Sequence, residues 1–470
     1  MLSSDRQSIH ELLELAKTEA IEFLNGIDSQ KVAHQVPLID VMPLPENGLG
    51  AEKALALFKD KYNRYVSGSA GPRYFGFVTG GATPASLVGD WLTATYDQNL
   101  SDAGESYARQ LTLECCQLLR DLLDIDSSFH GTMVSGATTS SLVALSTARQ
   151  WVGRKMGIDL AVDGVAALGS TLKVFSGTPH SSIYKVLSVL GIGRKALEII
   201  PSIENREAID IEALERRLKK HASECQAPPI VVANAGTVNT CDFDNIEAIT
   251  ALKETYSFWL HVDAAFGGFA NASPKYSHYL QGWNSADSIT IDGHKWLNVP
   301  YDSAFVFSRH QPLQGEVFNS MAAYLPAAVE HDTFIHLTPE NSQRTRALPA
   351  WMSLTAYGKN GYQEIIENCC ELAHSFEKLI QGSSSFKTLS KVNLNGVCFT
   401  LLDERGEESD QTVINRFLDY IRADGRTFLT PSVLAGKPCV RISITNWRTR
   451  QEDIVIAWQA MCDAYEALRR

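Results

Sequence analysis

The sequence predicts an α/β fold: a mostly parallel sheet with helices on both faces, preceded by a helical segment and followed by a smaller α+β lobe. Two observations predict it. Between residues 131 and 307, short β-rich apolar runs alternate with helix-prone segments, the pattern of a parallel sheet whose strands are buried on both sides. Beyond residue 341 the pattern changes to one long helix-prone stretch and then separated strands. With 470 residues, 44% hydrophobic and 20% charged, the chain is too long for one small core and suits two or three lobes.

Over residues 8–27 the apolar positions Ile9, Leu12, Leu13, Leu15, Ala16, Ala20, Phe23 and Leu24 recur at helical spacing, so an amphipathic helix is expected there, with a face that needs a cover. Residues 67–84 hold too much glycine for a helix and too many aromatics for a linker; they read as an ordered loop near a cleft. Strands are expected at 131–134, 172–176, 230–233, 258–262, 288–291 and 304–307. Asp210 suits the cap of a helix running to residue 220, and Asp244 with Glu247 resembles a capping box for a helix to residue 256. A long helix is expected over 341–379, strands near 396–402 and 439–444, and a terminal helix opened by Thr449 and Glu452. The expected division is 1–75, 76–350 and 351–470.

The formal charge of −12 and pI near 5.5 disfavour nucleic acid or anionic membrane as partners, which leaves a small molecule. Nine cysteines, odd in number and without C-x-x-C spacing, indicate neither a disulfide framework nor a zinc site. Residues 1–24 mix charges with apolar residues, unlike a secretory signal, and no uncharged run is long enough to span a bilayer. A reducing, cytoplasmic setting is expected, with no metal.

The chemistry is concentrated in two short runs. Asp263 closes a strand in His261-Val262-Asp263-Ala264-Ala265, and Lys295 follows in His294-Lys295-Trp296. A buried strand-end aspartate requires a cationic partner. A lysine walled by Trp296, Leu297 and Val299 has an amine favoured in its neutral, imine-forming state. Together they are what pyridoxal 5'-phosphate (PLP) needs: an amine for its aldehyde and a carboxylate that keeps its ring nitrogen protonated. Ala265 is small enough to lie under a flat ring, while Gly267 and Gly268 let the chain turn. Ser135-Gly136-Ala137-Thr138-Thr139-Ser140-Ser141 joins a strand to a helix, which makes either a phosphate cradle or a neutral helix start. His180, just past a strand, suits either stacking on the ring with proton transfer or a plain surface loop; its place among the strand ends favours the first.

These stretches resemble the group II PLP-dependent decarboxylases, which act on aromatic amino acids, glutamate, histidine or cysteine sulfinate. The likeness runs from about residue 75 to the final helix. It implies a PLP-dependent transferase fold of type I, with a seven-stranded large domain, a small C-terminal domain, and a homodimer to which residues 1–75 contribute contacts. By position it implies Lys295 as the cofactor-bonding lysine, Asp263 as the ring-nitrogen partner and His180 as the stacking histidine. It also implies Ala137, Thr138 and His294 near the phosphate, and Thr237 beside the ring. The expected activity is decarboxylation of an L-amino acid.

Several positions depart from that pattern. Thr139 stands where many relatives have glutamate. Asp292 stands where animal relatives have an asparagine that helps hold phosphate; a carboxylate there repels a phosphate dianion unless bonded elsewhere, so Asp292 is not assigned to phosphate. Relatives carry a proton-donating tyrosine in the loop before Arg344 and Arg346. An ungapped count puts Phe334 there, with Tyr324 and His336 as substitutes. Phenylalanine cannot donate a proton, which keeps aldehyde formation, transamination and carbon–carbon lysis open beside amine formation, and a catalytically silent relative as a further alternative. Arg441 suits a substrate carboxylate or a surface ion pair; Phe75 and Phe77 suit a substrate wall, the core or a dimer contact.

Overall fold

The computed structural model describes residues 1–100, 106–169, 172–320 and 334–469. Seven strands form the central sheet: β1 His130–Val134, β2 Val174–Ser176, β3 Leu197–Ile199, β4 Ile230–Asn234, β5 Trp259–Asp263, β6 Ser288–Asp292 and β7 Ala304–Ser308. Their order is β1-β7-β6-β5-β4-β2-β3. β7 alone runs against its neighbours β1 and β6; the β2–β3, β2–β4, β4–β5 and β5–β6 pairs are parallel. All of β4 to β7 is buried, which explains why these strands read as apolar runs without alternation. Successive residues serve opposite faces: Val231 and Ala233 enter the core shared with the helix Ala108–Leu123, whereas Ile230 and Val232 pack with Leu145, Ala148 and Val152 of the helix Ala137–Lys155. Each fully buried valine, leucine or isoleucine among them contributes about 1.5–3 kcal/mol.

β3 was not among the expected strands. It has three residues at a sheet edge, none of them buried, and so carries no apolar run to detect.

The second sheet is antiparallel, in the order β10-β11-β9-β8, from β8 Phe386–Thr388, β9 Gly396–Leu401, β10 Thr430–Leu434 and β11 Lys437–Ser443. Helices Gln411–Asp424 and Gln451–Leu468 accompany it. β8 and β10 were not expected. The β10–β11 hairpin turns through Ala435 and Gly436, both at positive φ (49° and 79°); alanine there hides the turn that asparagine would have announced. A long helix, Ala347–Gln381, leads into this lobe and breaks at Gly358, whose φ of 57° lies outside helical space.

Asp210 does cap its helix, accepting hydrogen bonds from the Glu212 and Ala213 amides at 2.9 and 3.2 Å. The other two caps are corrected. Asn245, not Asp244, caps the helix Ile246–Ala251, because the Asp244 carboxylate accepts the Ile209 and Asn234 amides, each at 2.7 Å. At the terminal helix, Asp453 accepts the Arg450 amide at 2.9 Å, while the Thr449 hydroxyl donates to the Pro72 carbonyl.

The N-terminal helices Leu2–Gln7, Ile9–Gly26 and Ala51–Tyr62 bury none of their residues. No helix among the described residues is long and apolar enough to cross a membrane.

Candidate active site

The site lies at the ends of β4, β5 and β6, where a parallel sheet leaves backbone and side chains open to a cleft. After β6 the chain turns tightly through Gly293, His294 and Lys295. The Lys295 Nζ lies 2.8 Å from Asp292 Oδ2, and His294 Nε2 lies 3.6 Å from the same oxygen. The other oxygen of Asp292 accepts the Ala137 amide at 2.7 Å. His294 Nδ1 donates to the Ser303 carbonyl at 3.0 Å, and its ring stacks on Tyr301 at 4.4 Å between centroids. Burial pushes the His294 imidazole below its ordinary range, so it is neutral near pH 7.

The glycine-rich loop is ordered and clasps this turn. The Gly80 amide donates to the His294 carbonyl at 3.1 Å, and the Thr83 amide to the Asn298 carbonyl at 2.9 Å. A β-carbon on Gly80 would stand 1.8 Å from the Lys295 carbonyl oxygen. Gly80→Ala therefore has to displace backbone. We expect it to cost about 1–3 kcal/mol and to weaken PLP binding, as read by thermal melting and cofactor titration.

Asp263 ends β5 with its side chain nearly buried, at 8% exposure. Its carboxylate accepts only a long bond from the Ala265 amide, at 3.3 Å, and enters no ion pair among the described residues. A buried carboxylate without a cation is a strong indication of a missing partner. On the same face of β5, His261 is fully buried and bonded through Nδ1 to the Ser288 hydroxyl at 2.9 Å. Burial pushes its imidazole down to about 4, against the opposing pull of Asp263. The unfolded imidazole binds a proton below about pH 6.5 while the folded one stays neutral to about pH 4, so stability rises with pH across that window and falls as acid is added. The expected loss is about 3 kcal/mol between those values. Urea unfolding across that range should show it, and His261→Gln should lack it.

His180 caps the helix Ser181–Val189 and accepts the Ser182 amide at Nδ1 (3.2 Å), which leaves the proton on Nε2. Burial lowers its pKa; the carboxylates of Asp263 and Asp292 oppose that, and the cations of Lys295 and Arg441 reinforce it. One imidazole thus feels groups from β5, the Lys295 turn and the small lobe. Arg441, on β11, donates to the Gly76 carbonyl at 2.8 Å and the Val238 carbonyl at 3.4 Å, has no ion pair among the described residues, and leaves its buried Nε unbonded. It is no surface ion pair.

Other expected residues fall differently. Phe75 is 1% exposed and belongs to the hydrophobic core, so its ring offers no wall to a ligand. Phe77 is 52% exposed and clusters with Tyr74 and Phe428. The Thr237 hydroxyl donates to Glu207 at 2.6 Å and accepts the Asp242 amide, so it is committed to the protein. Phe334 is buried with Leu100, Ala108 and Leu337, and the buried His336 accepts the Ser320 amide. Tyr324 lies outside the described residues. Sequence reasoning overlooked Tyr301 and Glu207, and left Asp292 unassigned. The Asp292–Ala137 contact joins segments 155 residues apart and has no local signal.

The arrangement fits PLP. Lys295 offers an amine, Asp263 a buried carboxylate without a cation, and Ala265 a small residue beside it. At the N-terminus of the helix Ala137–Lys155 the amides of Ala137, Thr138 and Thr139 have no intrahelical acceptor, the first intrahelical bond being that of Ser140 to Gly136. Among the described residues no group of three or more metal-ligating side chains converges.

A family profile described as the pyridoxal-dependent decarboxylase conserved domain matches residues 45–402. The chain is 27% identical over 451 residues to an aromatic-L-amino-acid decarboxylase of Bacillus atrophaeus, covering 93% of this chain and 91% of that one. It is 25% identical over 444 residues to a phenylacetaldehyde synthase of a Rosa hybrid cultivar, covering 89% and 85%. In fold it resembles the crystal structure of Oryza sativa TDC with PLP and tryptamine, at a TM-score of 0.88 and 20% identity over 99% of both chains. Mouse CSAD is as similar, with a TM-score of 0.88 and 22% identity over 98% of this chain and 99% of that one.

Proposed function

This chain belongs to the pyridoxal-dependent decarboxylase family, and from that premise we propose that Lys295, Asp263 and His180 carry the PLP-dependent decarboxylation of an L-amino acid. The observation that carries the assignment is that Lys295 and the cradle amide of Ala137 meet on Asp292, at 2.8 and 2.7 Å, while Asp263 ends the neighbouring strand as a buried carboxylate with no ion pair among the described residues. Bound PLP supplies an electron sink for the bond that breaks at the substrate's α carbon. Lys295 is the amine for the cofactor aldehyde. Asp263, short of a cation, holds the ring nitrogen protonated. His180, neutral near pH 7 with its proton on Nε2, would lie against the ring and has that proton to give. The Thr138 and Thr139 amides hold the phosphate, while the Ala137 amide is taken by Asp292 and the one donor of the neutral His294 ring by the Ser303 carbonyl.

Arg441 binds the substrate carboxylate, since it is a largely buried cation with no carboxylate partner among the described residues. Tyr74, Phe77 and Phe428 flank the Gly76 carbonyl that anchors it, and relatives named for aromatic amino acids support an aromatic side chain in the substrate. The test is incubation of the PLP-loaded protein with a panel of L-amino acids. Carbon dioxide with an equivalent of amine supports the reading; carbon dioxide with aldehyde, ammonia and peroxide assigns the aldehyde-forming variant; no carbon dioxide from any amino acid overturns it.

The working unit is a cytoplasmic homodimer, with no nucleic acid or membrane partner. Ile9, Leu13, Ile21 and Phe58 stand exposed on helices that bury nothing, and all nine cysteines are free thiols. Sedimentation should give twice the 51.7 kDa chain mass, and Leu13→Glu with Ile21→Glu should halve it.

A further inference from the structure

Asp292 spends its two oxygens on the two groups that a phosphorylated aldehyde would claim. Oδ1 accepts the Ala137 amide at 2.7 Å, one of the three amides of the cradle without an intrahelical acceptor, and Oδ2 faces the Lys295 amine at 2.8 Å. The side chain is 2% exposed. An asparagine here would offer a donor to a phosphate oxygen; an ionised carboxylate only accepts.

The surroundings offer little to neutralise it once Lys295 is bonded to an aldehyde. His294 directs Nδ1–H at the Ser303 carbonyl, so its Nε2 turns a lone pair toward Asp292, and burial keeps the ring neutral. Behind His294 stand Tyr301 and Asp302. His180 is also held below its ordinary range by burial, with Asp263 and Asp292 opposing and Lys295 and Arg441 reinforcing that shift. A doubly charged phosphate on the Thr138 and Thr139 amides would therefore meet a carboxylate lacking a cation. Two adjacent anions of this kind relieve their repulsion by holding one proton between them.

We propose that Asp292 and the cofactor phosphate share a single proton, so that the site takes the phosphate in its singly charged form and binds one proton from solvent with it. This rests on the reading of Lys295 and the cradle given above. One O–H bond to the phosphate or to Asp292 is retained in the bound state, the proton bridges to the other oxygen, and nothing is oxidised or reduced. Asp292 is a positioning residue: it caps the cradle helix and matches the charge state of what the cradle accepts.

The test compares PLP with pyridoxal, which lacks only the phosphate, so that titrations of the ring, of Lys295 and of the histidines cancel. Dissociation constants of both are measured by cofactor absorbance from pH 6.5 to 8.5 in the native protein, in Asp292→Asn and in Asp292→Ser. A phosphate monoester loses its second proton near pH 6. The advantage of PLP over pyridoxal should therefore fall about tenfold per pH unit in the native protein. It should stay constant within about threefold in both variants, and exceed the native advantage at pH 8.5. A native advantage that does not change with pH overturns the proposal, as does a variant that weakens both ligands equally at every pH. Failure of PLP to attach to Lys295, read by peptide mass after borohydride reduction, overturns the underlying reading instead.

Discussion

Lys295→Ala lowers turnover by at least about a thousandfold at saturating PLP, the scale expected when a covalent anchor and its proton traffic are both lost. The effect has two sources. The amine for the cofactor aldehyde disappears, so borohydride no longer fixes the cofactor to the chain. Asp292 also loses the cation 2.8 Å away and remains as a buried, uncompensated carboxylate. The apoprotein should therefore melt earlier as well, since breaking one side of a buried pair is the costly case. Lys295→Met fills the space without the amine, and should reproduce both losses. Steady-state turnover with peptide mapping and thermal melting checks both. A variant that decarboxylates within tenfold of the native rate would remove Lys295 from the mechanism.

Asp263→Asn should separate catalysis from stability in opposite directions. With no charge to hold the ring nitrogen protonated, kcat should drop about a hundred- to a thousandfold, while KM changes far less, because this interaction strengthens as the bond at the α carbon breaks. The apoprotein, by contrast, should become more stable. Asp263 has no ion pair among the described residues, and its single accepted bond is long, so the neutral amide removes a buried charge without removing a partner. Kinetics together with melting of the cofactor-free protein decides it. A fall in both would mean that Asp263 is a structural residue alone.

The parts of the fold legible in the sequence are those where burial is complete. β4 to β7 carry apolar residues on both faces and announce themselves, whereas β3 and β8 are three residues long with little buried surface. Asp210 was readable as a cap because its hydrogen bonds are local. Asp244 was not, because its carboxylate reaches back to Ile209 and Asn234. The same distinction runs through the site. Asp263 and Lys295 stand out in the sequence because strand-end position and residue type suffice to suggest chemistry. Phe75 stayed open between wall, core and dimer contact because an aromatic residue in a glycine-rich loop says nothing about which way its ring turns; the structure places it in the core. Thr237 was matched by position, but the commitment of its hydroxyl to Glu207 arises from a segment thirty residues away.

Asn298 carries a last consequence. Its side-chain amide donates to the Trp296 and Thr445 carbonyls, its side-chain oxygen accepts the Trp447 amide, and its own carbonyl accepts Thr83. The two lobes are moored to each other three residues beyond Lys295. A rocking motion between them would have to break these bonds, so Asn298→Ala should loosen the contact between the lobes, as read by hydrogen exchange at the Thr83 and Trp447 amides.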